Sequence, residues 1–270
     1  MCIRDRYQVD QYGNAVFRNG HMIPFGISIA HETTVFREYG PVSGNTFKIT
    51  YEGSPGFNAH FLSRQTVEAD LRTYKRLVAN GVLALRFKGF NSWGRNPDLF
   101  YFGGNSEMRG YDYLQFLGQK AFFANAELRF PLIEAMLTPV GVLGGLRGTM
   151  FVNMGGGGFN GQDFHVAKFG SELYSPFLGY NNFGQPVYGP EFLVDGFRLV
   201  DARASYGISL QSALLGFPMH FDWSWRTLFN RDWEDLLFAG AAFAADPSGF
   251  TRGSDLFRKV KFSFWIGYDF

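Results

Sequence analysis

Residues 259–270 alternate without a break. Val260, Phe262, Phe264, Ile266, Tyr268 and Phe270 are apolar. Lys259, Lys261, Ser263, Trp265, Gly267 and Asp269 stand between them. A repeat of two puts successive side chains on opposite faces, which defines a β-strand and excludes a helix. A run of about 12 residues suits a tilted strand crossing a bilayer, which takes roughly 9–11. One such strand is also compatible with a soluble barrel of the lipocalin kind, so the rest of the chain must decide.

The pattern recurs upstream. Phe217, Met219, Phe221, Trp223 and Trp225 alternate with Pro218, His220, Asp222 and Ser224. Val200, Ala202, Ala204, Tyr206, Ile208 and Leu210 alternate with Asp201, Arg203, Ser205, Gly207 and Ser209. Phe122, Ala124, Ala126, Leu128 and Phe130 alternate with Phe123, Asn125, Glu127 and Arg129. Leu146, Met150, Val152 and Met154 share one face of a further strand. Earlier candidates lie at about 24–36, 45–52, 64–75 and 81–89, and the third places Glu68, Asp70 and Arg72 on one face. About nine strands result. A soluble barrel turns its apolar face inward. Here full charges recur on one face throughout, as expected when the polar face lines a lumen and the apolar face meets lipid. A one-residue slip of 64–75 would turn three charges toward lipid, and one midplane Arg costs roughly 2–4 kcal/mol. The expected fold class is therefore all-β, an antiparallel transmembrane β-barrel.

Composition agrees. The 270 residues include 32 Phe and 34 Gly, and 19% are aromatic, yet mean hydropathy is only -0.10. Apolar and polar residues must be finely interleaved. A net charge of +1 gives no electrostatic reason to expect nucleic acid as a partner. The single cysteine, Cys2, excludes an internal disulfide framework. No apolar run reaches the length of a transmembrane helix. The opening Met1-Cys-Ile-Arg-Asp-Arg6 lacks the regions of a signal peptide and looks like an assembly artefact. Residues 1–23 are set aside as an irregular N-terminal segment, and 24–270 form the expected barrel domain, with strands and upstream domains missing.

The connections also sort by length. Segments near 38–44, 76–80, 131–141 and 212–216 are short, and those near 90–120, 156–196 and 227–256 are long. Outer-membrane barrels have short periplasmic turns and long extracellular loops. This places the end of the last strand, at Phe270, on the periplasmic side.

The first of those long loops carries Phe100-Tyr-Phe-Gly-Gly-Asn-Ser-Glu-Met-Arg-Gly-Tyr111. Here the chain resembles the BamA-type, or bacterial surface antigen, outer-membrane barrels. That family has a Gly-Gly followed by an Arg-Gly-aromatic motif in a loop that folds back into the lumen. Gly103, Gly104, Arg109, Gly110 and Tyr111 match it, with Met108 where valine is usual. The family's next strand bears a glutamate before a Pro turn, matched by Glu127. The strand after carries Phe-x-Asp-x-Gly, matched by Phe151-Val-Asn153-Met-Gly155, with Asn in place of Asp. In the family the loop arginine bonds to both acids. The resemblance therefore implies a loop latch with Glu127 and Asn153 as lumenal partners of Arg109. Asn153 could still accept from Arg109 through its carbonyl oxygen, but without the negative charge of an aspartate.

The resemblance covers about residues 24–270. It implies the C-terminal nine strands, approximately, of a barrel of roughly sixteen. It also implies a role in inserting, assembling or translocating outer-membrane proteins in the bacterial outer membrane. The partners expected are outer-membrane lipid, client outer-membrane proteins and periplasmic assembly partners. Phe264, Ile266, Tyr268 and Phe270 resemble the C-terminal strand signal that assembly machinery reads. The alternatives are a passive outer-membrane pore or surface antigen, and a barrel that anchors an upstream periplasmic domain.

No cofactor, metal site or catalytic residue is expected. Gly156, Gly158 and Gly161 fit G-x-G-x-x-G, but no apolar-periodic helix follows, so they are read as a flexible loop root. Histidines 21, 31, 60, 165 and 220 show no metal-ligand spacing, and His220 is read as a solvated lumenal side chain. Glu68, Asp70 and Glu127 are read as lumenal charge rather than as acid–base pairs.

Overall fold

The computed structural model describes residues 20–37, 40–58, 60–138, 141–175, 177–214, 217–245 and 253–267. Nine strands follow one another in space in chain order. They are β1 (Phe25–Glu32), β2 (Gly40–Ser54), β3 (Arg64–Arg76), β4 (Val82–Trp93), β5 (Lys120–Thr138), β6 (Gly141–Gly158), β7 (Ala202–Leu214), β8 (Phe217–Thr227) and β9 (Lys261–Ile266). Each pairs antiparallel with the next, and short Val35–Arg37 adds to β2. The result is a partial β-barrel. Among the described residues β1 and β9 each keep one unpaired edge.

The sheet is inside-out. Along β8, Pro218, His220, Asp222 and Ser224 are buried, while Met219, Phe221, Trp223 and Trp225 on the other face are only partly covered. Along β5, Asn125, Glu127 and Arg129 are buried and Leu128 is exposed. Ile27, Ile29, Ile49, Leu71, Leu85, Phe87, Met150, Val152, Ile208, Phe262 and Phe264 are all exposed on the outer face. An apolar outer face with a polar interior is the arrangement that hydrocarbon solvates and water does not. Charges on the inner face meet partners: Asp70 takes Arg72 at 2.8 Å and Arg86 at 2.9 Å, and Lys88 reaches Glu68 at 2.9 Å.

From β3 onward short and long connections alternate, as the strand ends show. The short-turn ends extend further than the sequence indicates. Residues 131–138 belong to β5 rather than to a turn, and 40–44 belong to β2. Pro131 stands beside a register shift between Pro131 and Ile133, the kind of irregularity at which a strand tolerates proline.

The last long connection holds two helices that periodicity did not indicate, α1 (Arg231–Ala245) and α2 (Gly253–Phe257). Asn230 caps α1, its Oδ1 accepting from Trp233 N at 3.0 Å, with Asp232 and Glu234 in the first turn. Buried Glu234 accepts from Leu228 N at 2.7 Å and from Arg258 Nε at 2.6 Å, and Trp233 Nε1 donates to Leu199 O at 2.8 Å. These bonds dock the helices against the long-loop ends of β7 and β8. No helix of the described residues is long and apolar enough to cross a membrane.

Candidate functional site: a loop latched inside the lumen

The connection from β4 to β5 folds onto the inner face of the sheet. Its stem is a ribbon of Phe100–Phe102 paired with Phe116–Gly118. Phe102 is fully buried and stacks on Phe100, Phe116 and Phe123 with ring centroids 5.0–5.7 Å apart. Phe123 occupies an inner-face position of β5, so this part of the lumen is an apolar socket for the ribbon.

The Gly157–Gly158 stretch of β6 makes that seating possible. A Cβ on Gly157 would stand 2.6 Å from Leu117 O, and one on Gly118 would stand 2.7 Å from Gly158 N. Gly156 and Gly158 therefore lie in a close-packed strand and not in a flexible loop root. Only Gly161 of that trio has open space around it.

Beyond the ribbon the chain turns tightly. Gly103 (φ +135°) and Gly104 (φ +89°) adopt conformations that side chains resist, and Met108 N closes the turn on Gly104 O at 2.8 Å. Met108 is fully buried, which suits an apolar side chain there. Gly110 (φ +89°) lets the loop lie against β8, where a Cβ would come within 3.0 Å of Ser224 Cβ. Tyr111 packs edge-on against Phe116 and donates to Ala204 O at 3.0 Å. Burial raises its phenol well above the usual range.

Arg109 sits between these anchors, buried. Its Nη1 donates to Glu127 Oε1 at 2.5 Å, and its guanidinium lies 4.6 Å from the centroid of the Phe151 ring. Glu127 in turn accepts from Arg129 Nε at 2.7 Å. Arg109 Nε is 3.5 Å from Asp222 Oδ2, on β8. Thus Glu127, matched from the family pattern, and Arg109 are brought together. Asn153 is drawn into a neutral row instead: its Oδ1 accepts from Asn125 Nδ2 at 2.8 Å, and its Nδ2 donates to Ser205 Oγ at 3.2 Å. Asn125 also holds the loop, donating to Glu107 O at 2.6 Å. Periodicity puts Asp222 on the inner face but gives no reason to set it near Arg109, because it reports the face and not the distance across a lumen.

At the C-terminal strand, Phe264 and Ile266 face outward and are exposed. Tyr268 and Phe270 lie outside the described residues. Trp265 faces inward and donates from Nε1 to Asp222 Oδ2 at 2.7 Å. It stacks on His220 with centroids 3.7 Å apart and planes 8° apart. His220 is buried, not solvated, and also bonds Gly267 O at 2.9 Å. Among the described residues no group of three or more His, Cys, Asp or Glu is placed to hold a metal ion.

An inside-out antiparallel sheet with alternating connection lengths and a loop bonded into its polar interior defines an outer-membrane β-barrel with a lumenal loop. The family is shown by sequence: residues 31–270 match the model of the Omp85 superfamily domain, and the chain belongs to that superfamily. This is in general a family of outer-membrane barrels for protein insertion and translocation. No curated protein matches the chain.

Proposed function

We propose that this barrel inserts or assembles other outer-membrane proteins, with the Gly103–Tyr111 segment as a latch that fixes the lumen in its working shape. The observation that carries the reading is the buried pairing of Arg109 with Glu127, which joins a loop to the barrel wall through a charge-assisted bond. In this reading the work is mechanical and not enzymatic. The outer edge of β9, unpaired among the described residues, is one side of a seam at which a client strand adds by β-augmentation. Client outer-membrane proteins are then the partners, with periplasmic factors delivering them.

The test is Arg109→Ala in the full-length protein, read as assembly of a client barrel and as conductance in a planar bilayer. Lost assembly with near-normal conductance is expected. Normal assembly with altered conductance would instead identify a passive pore.

A further inference from the structure

Asp222, fully buried on β8, brings Oδ2 to 3.5 Å from Arg109 Nε. The cross-strand register shows how it reaches that position. Glu127 is opposite Phe151, Phe151 is opposite Gly207, and Gly207 is opposite Ser224. Gly207 has no side chain, and a Cβ there would lie 2.6 Å from Phe151 Cζ. The Phe151 ring and the guanidinium above it therefore have room to lean toward β8, where Asp222 lies one inward position from Ser224.

We infer that Asp222 is a second carboxylate of the latch, beside Glu127, and that it ties the loop to the last strand. The same Oδ2 that faces Arg109 accepts from Trp265 Nε1 at 2.7 Å. Loop and terminal strand thus meet on one oxygen atom. Asp222 is a positioning residue, acting on the loop through Arg109 and on β9 through Trp265.

This inference rests on the latch reading, but its test needs no client, so either can fail alone. Hydrogen exchange is measured on full-length protein in lipid nanodiscs, over residues 103–112 and 261–267, for D222A, D222N and W265F. D222A is expected to speed exchange about tenfold or more in both segments, as local opening is freed from a shared anchor. D222N keeps an oxygen that accepts from Trp265 and loses the charge that faces Arg109, so it should loosen 103–112 much more than 261–267. W265F should loosen 261–267 and, through Asp222, the loop as well. Unchanged loop exchange in D222N, or in W265F if neither Asp222 variant folds, overturns the inference. So does unchanged exchange of 261–267 in D222A.

Discussion

Asp112 of the lumenal loop accepts a hydrogen bond from Lys261, at the head of β9, at 2.5 Å across a separation of 149 residues. It is a second tie between loop and last strand, and an exposed one. Lys261 holds the Asp112 carboxyl below the usual aspartate range, first by the hydrogen bond and then by charge. A carboxylate with a lowered folded-state pKa contributes stability above its unfolded pKa and loses it as the pH falls through the folded value. The contribution is therefore in place at neutral pH and fades below roughly pH 4. Expected is a small difference in Tm between wild type and Lys261→Ala at pH 7, which closes on acidification and in high salt. A difference that persists at low pH would mean that Lys261 acts by packing.

Glu127 serves two cations, Arg109 and Arg129, and all three side chains are buried. Removing the carboxylate leaves both guanidinium groups without it in a place that water does not reach. Breaking a buried pair in this way costs about 3–5 kcal/mol. Glu127→Ala should lower the temperature at which the folded barrel unfolds in detergent, followed as heat-modifiable gel mobility. Arg109→Ala should lower it less, since Glu127 keeps Arg129. Equal losses would show that Arg129 does not compensate.

What was legible in the sequence follows from periodicity. The inward and outward faces of β3, β5, β7 and β8 could be read because one face carries charge and the other does not. The alternation of loop lengths is visible from about residue 76 onward, and the pairing of Arg109 with Glu127 is what the family resemblance implies. The missing parts lie where periodicity is silent. Pro131 looks like a turn residue, yet a bulge carries the strand past it. The helix at Arg231–Ala245 has local signals, an Asn cap and two acids followed by an alanine-rich run, but inside a long connection strand periodicity does not register them. Asp222 and His220 looked like ordinary lumenal polar groups, because their burial depends on Trp265 and on a loop more than 100 residues away in the chain.

The glycines of β6 make a sharper case. Gly157→Val would drive a side chain into the backbone of Leu117, with a Cβ 2.6 Å from its carbonyl oxygen. Overpacking of this kind costs typically 1–3 kcal/mol, about the scale of a strained left-handed residue, so stability alone is a poor discriminator. Location decides it. Gly157→Val should expose the ribbon of residues 100–102 and 116–118 to protease, because the ribbon must lift off the strand. Gly161→Ala, strained at φ +83° but with nothing nearby, should leave the ribbon protected. Cleavage in both variants would show that the ribbon is not held by this contact.

Neighbouring residues of β2 test the membrane-facing side. Ile49 points outward and is exposed, while Thr50 points inward, bonded to Ser28 at 3.0 Å and opposite Glu68 in register. Ile49→Arg sets a guanidinium against lipid near the middle of the strand, at a cost of roughly 2–4 kcal/mol. Thr50→Arg adds the same group one position along, where water and the Glu68 carboxylate are available, and the cost should be much smaller. The measurement is denaturant unfolding of both variants from lipid vesicles. A soluble barrel would reverse the order, because its outer face is the wet one. If Thr50→Arg proves the more damaging, the inside-out assignment of the sheet fails with it.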